Sequence, residues 1–374
     1  MSLHESVDVA VIGGGQAGLA MSYQLRQRGR RHVVLDAGPE IGHVWRSRWD
    51  SLALFTPTQY SGLPGMAFPG PGDTYPSKED VVAYLSAYLD TFDLPIRLNT
   101  RVASLVRGAE GYVVTSGDGT LTARQIVVAT GPFQTPFIPR AAGGLDPSVV
   151  QVHSGSYRNP AQLPEGGTLV VGGGNSGFQI AEELAASRKV DLAVGTRMPS
   201  LPQRLLGRDL FWWLTRLGVM RISLGSRLGR RMAKRDVLIG SSERRLRRAG
   251  VTFRGRLDRT EGSRAIFADG GELSVEAVVW ATGYRPDYSW IEVPGVVDGN
   301  GRAVHRRGVT AAPGLYFVGL PWQYTRGSAL IGFVEKDAVF LADAIESFAR
   351  DRAGRLPAGS ERSATRQSNS SLSN

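Results

Sequence analysis

The chain has 374 residues, no cysteine and a formal net charge of +10 at pH 7. Its length suffices for two domains, each with its own hydrophobic core. The absence of cysteine excludes disulfides, thiolate-bound zinc, iron–sulfur clusters and the flavoproteins whose electrons leave through a pair of cysteines.

The first predicted unit is a βαβ unit over residues 1–36. Residues 7–12 (VDVAVI) form an apolar strand, and residues 13–18 (GGGQAG) fit the GxGxxG turn that opens a helix. In this turn the first glycine allows a sharp reversal, the second admits a pyrophosphate, and the third lets the helix pack on the strand. The next strand, residues 32–35, ends on Asp36, whose carboxylate suits the hydroxyls of an adenosine ribose. The unit therefore predicts a site for FAD or NAD.

The residues after this unit predict the rest of a first domain. In chain order they are a Gly/Pro-rich stretch (57–76), a helix from near Ser77 with Asp80 in its first turn, a hairpin-like β region (102–121), a buried strand (125–129) ending at Thr130 and Gly131, and a Pro/Gly-rich link (134–167). The helix prediction rests on a capping sequence that precedes apolar residues at helical spacing.

A second glycine turn of the same design follows. Residues 168–171 (TLVV) predict a strand, and residues 172–177 (GGGNSG) begin 159 positions after the first turn. The position 23 residues after Gly172, taken as the equivalent of Asp36, is Gly195, and Thr196 and Arg197 come next. A carboxylate would repel a 2′-phosphate, whereas a hydroxyl and a guanidinium would bind it. We therefore predict FAD in the first site and NADPH in the second.

The remaining elements complete both units. They are an arginine-rich helical region, a strand (277–281) ending at Thr282, Gly283 and Tyr284, a strand (314–319), a helix from about Ser328 to Arg350, and a disordered Ser/Arg/Asn-rich end. The predicted fold is α/β, with two Rossmann-like domains and the second inserted into the first. The FAD domain would cover residues 1–149 and 285–356, the NADPH domain residues 150–284, and the tail residues 357–374.

Positive charge is concentrated in one region. Residues 197–264 hold 18 lysines and arginines against 5 acidic residues. Because this region belongs to the second dinucleotide unit, steering of NADPH explains the charge better than binding of nucleic acid does. Within it, residues 205–220 place Phe211, Trp212 and Trp213 beside a basic run, and three interpretations stay open: a core helix, a wall of the substrate entrance, or an interfacial membrane helix.

Several kinds of site and segment are not expected. The five histidines lack the spacing of metal ligands, so no metal is predicted. No stretch has the roughly 20 apolar residues of a membrane span, and the N-terminus does not resemble a signal peptide. A cytoplasmic location is the expectation, and peripheral membrane contact and a homodimer both stay open.

These motifs resemble the class B flavin-dependent monooxygenases, especially the bacterial flavin-containing monooxygenases and the plant YUCCA-type enzymes. The resemblance covers residues 5–345. Besides the glycine turns it rests on residues 42–46 (GHVWR), 54–57 (LFTP), 63–69 (LPGMAFP), 74–76 (TYP), 129–131 (ATG), 281–286 (ATGYRP), 314–319 (GLYFVG) and 326–330 (RGSAL).

The resemblance, together with the glycine turns, implies two sets of cofactor contacts. For FAD they are Gly13, Gly15, Gln16, Ala17, Gly18, Asp36, Ala37, Trp45, Arg46, Val102, Thr130, Gly131, Gly319, Ser328, Ala329 and Leu330. For NADPH they are Gly172, Gly174, Asn175, Ser176, Gly177, Thr196, Arg197, Thr282, Gly283 and Tyr284. Trp45 and Arg46 would lie against FAD, Val102 would meet its adenine, and the helix start at Ser328 would face the flavin ring.

One family fingerprint is incomplete. The pattern FxGxxxHxxxY/F keeps its second half at His153 and Tyr157, but Pro147 and Val149 stand where Phe and Gly are expected. Tyr rather than Trp at position 157 favours a branch other than the Baeyer–Villiger enzymes. Whether His153 and Tyr157 hold the linker or take part in catalysis stays open.

The resemblance also implies a mechanism. NADPH would reduce the flavin, and a C4a-(hydro)peroxide formed with O₂ would oxygenate a small apolar substrate, with N- or S-oxygenation favoured over Baeyer–Villiger chemistry. Gln59 is the candidate hydrogen-bonding group near this peroxide. The alternatives are an NADPH:acceptor flavin reductase that inserts no oxygen and a non-catalytic flavoprotein that regulates a partner.

Overall fold

A computed structural model describes residues 5–234 and 236–353 of the chain. The tail predicted for residues 357–374 lies outside these described residues. The predicted α/β fold is confirmed, because two separate sheets with parallel central strands carry helices between their strands.

The first sheet is built around the N-terminal strand. Its region comprises β1 (Glu5–Ile12), α1 (Gln16–Gln27), β2 (His32–Leu35), α2 (His43–Arg46), α3 (Lys78–Thr91), β3 (Ile96–Arg97), β4 (Val102–Arg107), β5 (Tyr112–Ser116) and β6 (Gly119–Val128). Strands β3, β2, β1 and β6 run parallel in that order, and β5 and β4 continue the sheet as an antiparallel meander. Val9, Ala10 and Val11 are fully buried, so β1 is covered on both faces, as is usual for central parallel strands.

The second sheet repeats this plan with parallel strands only. Its region comprises β7 (Thr135–Pro136), β8 (Val150–His153), β9 (Thr168–Val171), α4 (Asn175–Ala185), β10 (Val190–Ala193), β11 (Ser200–Leu201), β12 (Arg204–Leu205), β13 (Arg208–Asp209), α5 (Leu210–Arg216), α6 (Arg227–Ala233), β14 (Leu238–Ile239), α7 (Glu243–Arg248), β15 (Thr252–Arg254), β16 (Leu257–Glu261), β17 (Arg264–Phe267), β18 (Glu272–Ser274), β19 (Ala277–Trp280) and β20 (Tyr284–Arg285). The sheet order is β15-β10-β9-β19-β8. Strand β8 lies inside residues 134–167, the stretch predicted to be an irregular link. It pairs with β19, and its Val150 and Val152 pack against the core of this sheet.

The chain then returns to the first sheet. Strand β21 (Leu315–Phe317) pairs in parallel with β6, and α8 (Glu335–Ala353) lies against α1 through ion pairs that join Arg28 to Asp343 and Arg30 to Glu346. Where the chain crosses between the sheets, β7 and β20 pair antiparallel. From the sheet to which each strand belongs, we propose that residues 1–149 and 285–356 form the first domain and residues 150–284 the second.

The two glycine turns have the same backbone geometry. The N–H of Gly13 donates to the carbonyl of Leu35 at 2.8 Å, and the N–H of Gly172 donates to that of Ala193 at 3.0 Å. A Cβ on Gly18 or on Gly177 would overlap the carbonyl of the first glycine of its own turn. The third glycine is therefore needed in both turns because helix and turn backbone are in direct contact.

The predicted capping sequence of the third helix is confirmed. The hydroxyl oxygen of Ser77 accepts from the N–H of Asp80 at 3.1 Å, and the Asp80 carboxylate accepts from the N–H of Ser77 at 2.9 Å. These reciprocal bonds satisfy two N–H groups at the helix start.

The final helix begins later than predicted. Residues 328–330 are turns, Ile331–Phe333 is a single 3-10 turn, and α8 starts only at Glu335. The physical reason is contact with the rest of the fold. The N–H groups of Tyr324 and Thr325 donate to Ser328 Oγ, and Gly332 lies so close to Tyr60 that a Cβ would overlap its carbonyl.

We expect Gly18→Ala and Gly177→Ala to destabilise the fold by about 1–3 kcal/mol or more, since the added Cβ would force helix and turn apart. Urea unfolding followed by circular dichroism measures this loss. Gly117→Ala is the matched control, because a Cβ on Gly117 meets nothing within 4 Å. Equal stability of the three variants would contradict the close contact.

Candidate active site

The first glycine turn leaves room for a ligand at its second glycine. Gly15 precedes α1 with extended backbone (φ −71°, ψ −176°), and a Cβ there would meet nothing within 4 Å. Beside it, the Asp36 carboxylate accepts from the N–H groups of Gly14 at 2.5 Å and Gly38 at 2.7 Å. Free N–H groups of a helix N-terminus attract a pyrophosphate, so this cradle fits a dinucleotide.

Other predicted FAD contacts surround this cradle. The Trp45 indole N–H points to the Gln16 side-chain oxygen at 3.4 Å, and a Cβ on Gly319 would lie 2.5 Å from Ala17 Cβ. The Gln134 side chain donates to Thr130 Oγ1 at 2.9 Å and to the Gly131 carbonyl at 2.7 Å, which orders the turn after β6. Three chain segments that are distant in sequence thus meet at the start of α1.

Three predicted FAD contacts stand further out. Arg46 is exposed and pairs with Glu40 at 2.6 Å, so its guanidinium is held on the surface. Ala37 is exposed next to Asp36. Val102 begins β4 and is half-buried, two residues after Thr100, whose N–H donates to the Asp36 carbonyl at 2.8 Å.

Beside the loop after Gly319, the half-buried Arg307 lies close to an aromatic ring and to the buried Asp337. Arg307 lies 3.9 Å from the Tyr324 ring centroid and 3.6 Å from the Asp337 carboxylate. Burial raises the pKa of Asp337, and its hydrogen bond with Ser328 and the Arg307 charge act in the opposite direction. These contacts hold Ser328, Ala329 and Leu330 as a folded loop in place of the predicted helix start.

The second glycine turn has the same open place. A Cβ on Gly174 would meet nothing within 4 Å, and α4 begins at Asn175, followed by the half-buried Ser176. The Asn175 side chain accepts from the N–H of Ile239 at 3.0 Å, which ties the turn to β14. Thr282 Oγ1 donates to the carbonyl of Phe137. This second cradle also fits a dinucleotide.

The residue equivalent to Asp36 is not the predicted one. Leu35 and Ala193 occupy the same register position, so Asp36 corresponds to Val194 rather than to Gly195. The connection from the turn to the end of the strand is one residue shorter in the second unit. The place of the carboxylate is therefore taken by an apolar, half-buried side chain.

Two exposed arginines, Arg197 and Arg256, lie near the end of this strand. Thr196 and Arg197, the predicted phosphate contacts, are both exposed. The side chain of Arg256 passes beside Gly195, 3.5 Å from the position of a Cβ there. Arg256 was missed because it comes 61 residues after Gly195, on the loop that follows β15.

The two units meet at an aromatic and cationic junction. The Arg48 guanidinium donates to the Tyr284 hydroxyl and lies 5.6 Å from the Phe133 ring centroid. The His153 ring stands edge-on to Tyr284 at 4.9 Å, and its Nδ1 accepts from the N–H of Gly155. No motif in the sequence singled out Arg48, although it lies three residues after Trp45.

His153 and Tyr157 have structural partners in this junction. Because Nδ1 of His153 accepts, its Nε2 carries the proton and donates to the Gly283 carbonyl at 3.0 Å. Burial, reinforced by Arg48, lowers the pKa of His153, so the neutral ring is favoured. Tyr157 is fully buried and donates to Glu183 at 2.8 Å. Both side chains therefore hold the linker.

An apolar cavity lies between the aromatic segment and the loop after Gly319. Its volume is about 310 Å³, and its lining consists of Leu201, Leu210, Phe211, Leu214, Val219, Met220, Leu228, Arg231, Met232, Val237, Ile239, Trp322, Arg326 and Leu330. Arg326 pairs with Asp236 at 3.1 Å. The predicted FAD contact Leu330 is thus also a wall of this cavity.

The aromatic residues of this segment differ in their surroundings, and only Phe211 fits both the core and the cavity-wall interpretation. Phe211 is buried in a core cluster and also lines the cavity. Trp212 and Trp213, in contrast, pack edge-on against each other at 4.7 Å and do not line it. Within residues 205–220 the α-helix covers 210–216, because the N-cap Asp209 and Gly218, with φ of 73°, bound it on either side.

The candidate catalytic residue Gln59 does not reach the cavity. Its side chain is exposed and donates to Asp73 at 3.2 Å. The adjacent Tyr60 packs inward instead, with its ring stacked on Phe333 at 6.3 Å. The geometry thus gives no support to Gln59 as a group near the reacting atoms.

Two kinds of feature are absent from the described residues. In residues 5–234 and 236–353, no group of three or more histidine, aspartate or glutamate side chains is placed to hold a metal ion. None of the helices in that part of the chain combines the length and the apolar composition that crossing a bilayer requires.

Comparisons with known proteins identify the family. Residues 10–202 match the family described as pyridine nucleotide-disulphide oxidoreductase. The chain is 47% identical over 341 residues to an uncharacterized CzcO-like oxidoreductase of Geobacillus kaustophilus, covering 91% of this chain and 98% of that protein. It is 28% identical over 378 residues to the probable indole-3-pyruvate monooxygenase YUCCA1 of Arabidopsis thaliana, with 91% and 90% covered.

A solved structure agrees with these sequence relatives. A flavin-containing monooxygenase from Stenotrophomonas maltophilia is similar with a TM-score of 0.78 and 29% identity, over 92% of this chain and 99% of that one. The predicted resemblance is confirmed. The protein is an oxidoreductase of the pyridine nucleotide-disulphide oxidoreductase family and belongs to its FAD- and NADPH-dependent class B flavin monooxygenases.

Proposed function

We propose that this monooxygenase oxygenates small apolar substrates at nitrogen or sulfur and binds them in the cavity lined by Phe211, Leu214 and Leu330. The observation that carries the proposal is the lining itself, whose side chains are apolar apart from Arg231 and Arg326. A cavity of this kind excludes water and favours an apolar ligand.

The lining also bears on the type of oxygenation. Among its residues there is no histidine, aspartate or glutamate that would act as a general base. A soft amine or sulfide takes an oxygen atom as a nucleophile without such a base, whereas a carbonyl substrate needs a deprotonated oxygen donor. The buried Tyr157, held by Glu183, stands at the linker position where the Baeyer–Villiger branch is expected to carry Trp.

The cofactor residues follow from the two cradles. FAD would bind at Gly15, Asp36 and Trp45, and NADPH at Gly174, Thr196 and Arg197, with Arg256 as an added contact. Bound FAD supplies the redox chemistry, taking a hydride from NADPH and reacting with O₂. The protein binds and orients both cofactors, and the Arg48–Tyr284 contact keeps the two cradles in register.

Stopped-flow spectroscopy tests the oxygenase activity. Mixing the NADPH-reduced protein with O₂ is expected to give a transient absorbance distinct from both oxidised and reduced flavin. Thioanisole should then yield its sulfoxide with one NADPH consumed per product. Direct reoxidation without a transient, and without sulfoxide, would favour the reductase alternative, and no reduction by NADPH would favour a regulatory protein.

Gly15→Val and Gly174→Val should each remove one cofactor and leave the other. The added side chain occupies the place of a pyrophosphate, and neither glycine has a positive φ that a side chain would strain. We expect colourless but folded Gly15→Val protein, and yellow Gly174→Val protein that no longer binds NADPH in a fluorescence titration. Yellow Gly15→Val protein would refute the first assignment.

Arg197→Ala should weaken the use of NADPH and spare that of NADH. A charge-assisted bond to the 2′-phosphate corresponds to roughly ten- to a hundredfold in affinity. The measurement is the Michaelis constant for each nucleotide. Arg259→Ala, which removes an exposed arginine paired with Asp258 and Glu261, is the matched control. Equal effects of Arg197→Ala on both nucleotides would make Arg197 structural.

Leu214→Trp should block the cavity. The added indole would occupy the place of a substrate, and a loss of about 1–3 kcal/mol in substrate binding corresponds to a fall in product formation of roughly five- to a hundredfold, while NADPH oxidation continues without oxygen transfer. Leu217→Trp is the control on the exposed end of the same segment. Unchanged sulfoxide formation by Leu214→Trp would place the substrate elsewhere.

A further inference from the structure

One region of the surface carries an unusual share of exposed apolar side chains. Of the eight large apolar residues that are exposed in the described part of the chain, four lie within residues 205–228. They are Leu205, Leu206, Leu217 and Leu228, with exposed fractions of 48%, 83%, 70% and 54%. Clustered exposed leucines are a cost in water unless another surface covers them.

Leu206 occupies a conformation that a leucine rarely adopts. It stands at the tip of the β12–β13 hairpin with a φ of 50°, followed by Gly207 with a φ of 75°. A glycine or asparagine would fit this left-handed position with less strain. Strain retained at an exposed apolar tip points to a role for the side chain outside the fold.

The same region carries positive charge that the fold does not neutralise. Eight exposed basic residues lie in residues 204–234: Arg204, Arg208, Arg216, Arg221, Arg227, Arg230, Arg231 and Lys234. Within the described part of the chain, none of these eight residues pairs with a carboxylate. Asp209, the only acidic residue in residues 204–234, is buried.

The second half of the basic region is different. Arg245, Arg247, Arg254, Arg259 and Arg264 each form an ion pair, for example Arg254 with the buried Asp191 at 2.7 Å. Positive charge in this second half therefore stabilises the fold. In the part of the chain that the structure describes, five of the eight arginines in residues 244–264 are thus ion-paired, against none of the eight basic residues in residues 204–234.

Contacts join the β12–β13 hairpin to α5, and the apolar cavity joins α5 to α6. The Trp213 indole N–H donates to the Leu205 carbonyl at 2.9 Å, and the Arg208 guanidinium lies 5.5 Å from the Trp212 ring centroid. Leu228 and Arg231, on α6, both line the apolar cavity. Protein segments that lie at the boundary between lipid headgroups and acyl chains typically combine tryptophan and arginine with exposed leucines.

We propose that this basic leucine surface, residues 204–234, docks on an anionic membrane. The leucines would enter the acyl boundary while the guanidiniums contact lipid phosphates. A nucleic acid would use the charge but not the leucines. A second copy of the chain would bring like charges face to face in a symmetric interface, which opposes association.

Docking would also orient the cavity. With Leu228 at the surface and Arg231 in the lining, the cavity would open toward the bilayer, so that apolar substrates could enter from it. This consequence rests on the proposed function, whereas the docking itself does not depend on it.

Vesicle cosedimentation of the flavin-loaded full chain tests the docking. We expect binding to vesicles of phosphatidylcholine with added phosphatidylglycerol, little binding to phosphatidylcholine alone, and weakening by salt. The triple variant Arg216→Gln, Arg227→Gln, Arg230→Gln should bind on the order of a hundredfold more weakly, from roughly fivefold per arginine. Leu206→Asp should also lose binding.

A matched triple variant controls for net charge. This control is the triple variant Arg245→Gln, Arg247→Gln, Arg264→Gln, which removes the same charge from arginines that are ion-paired. It should bind vesicles like the wild type. Flavin absorbance and NADPH oxidation check that each variant is folded. An inactive oxygenase that still binds vesicles would refute the proposed function and leave the docking intact.

Three results would overturn the docking proposal. One is absence of binding to the anionic vesicles by the wild type. Another is equal loss of binding in both triple variants. The third is a dimer, or a complex with duplex DNA, that the first triple variant abolishes while vesicle binding persists in all variants.

Discussion

Both cofactor cradles depend on one close backbone contact. The helix that follows each turn lies directly on the carbonyl of the turn's first glycine, so close that Gly18 and Gly177 have no room for a side chain. That contact fixes the direction of the helix N-terminus and leaves Gly15 and Gly174 facing open space. The proposed pyrophosphate sites are therefore a consequence of how the helix packs on its strand.

Because the two cradles are alike, we expect the difference between the nucleotides they bind to come from one strand end. In the first unit a carboxylate is held by two backbone N–H groups, and in the second Val194 takes its place, with Arg197 and Arg256 close by. The junction around Arg48 and Tyr284 couples the units through side chains, and backbone hydrogen bonds from Asp50 to Arg158 and from Leu224 to Tyr324 join them as well. Hydride transfer between two separate units requires such a fixed contact.

The arginine-rich region serves more than one purpose. Its second half is partly neutralised by local carboxylates and supports the second sheet, as the Arg254–Asp191 pair does between β15 and β10. Its first half frames the apolar cavity and stays exposed. Two halves of similar composition thus differ in what surrounds them, since only one has acidic neighbours within reach.

The sequence alone determined the features that depend on short stretches of backbone. The two glycine turns, the strands before them and the Ser77–Asp80 cap were all predictable, because each needs particular residues within a few positions. The class of enzyme followed as well, since the same short motifs carry the family resemblance. The predicted contact residues around these turns stay proposals.

Only the tertiary structure decided what depends on distant residues. The equivalence of Val194 with Asp36 needed the strand register, because a helix one residue shorter leaves no mark in the motif. The late start of α8 comes from packing against Tyr60, and the cavity joins residue 201 to residue 330. Gln59 faces Asp73 for the same reason, since the direction of a loop side chain is set by its neighbours in space.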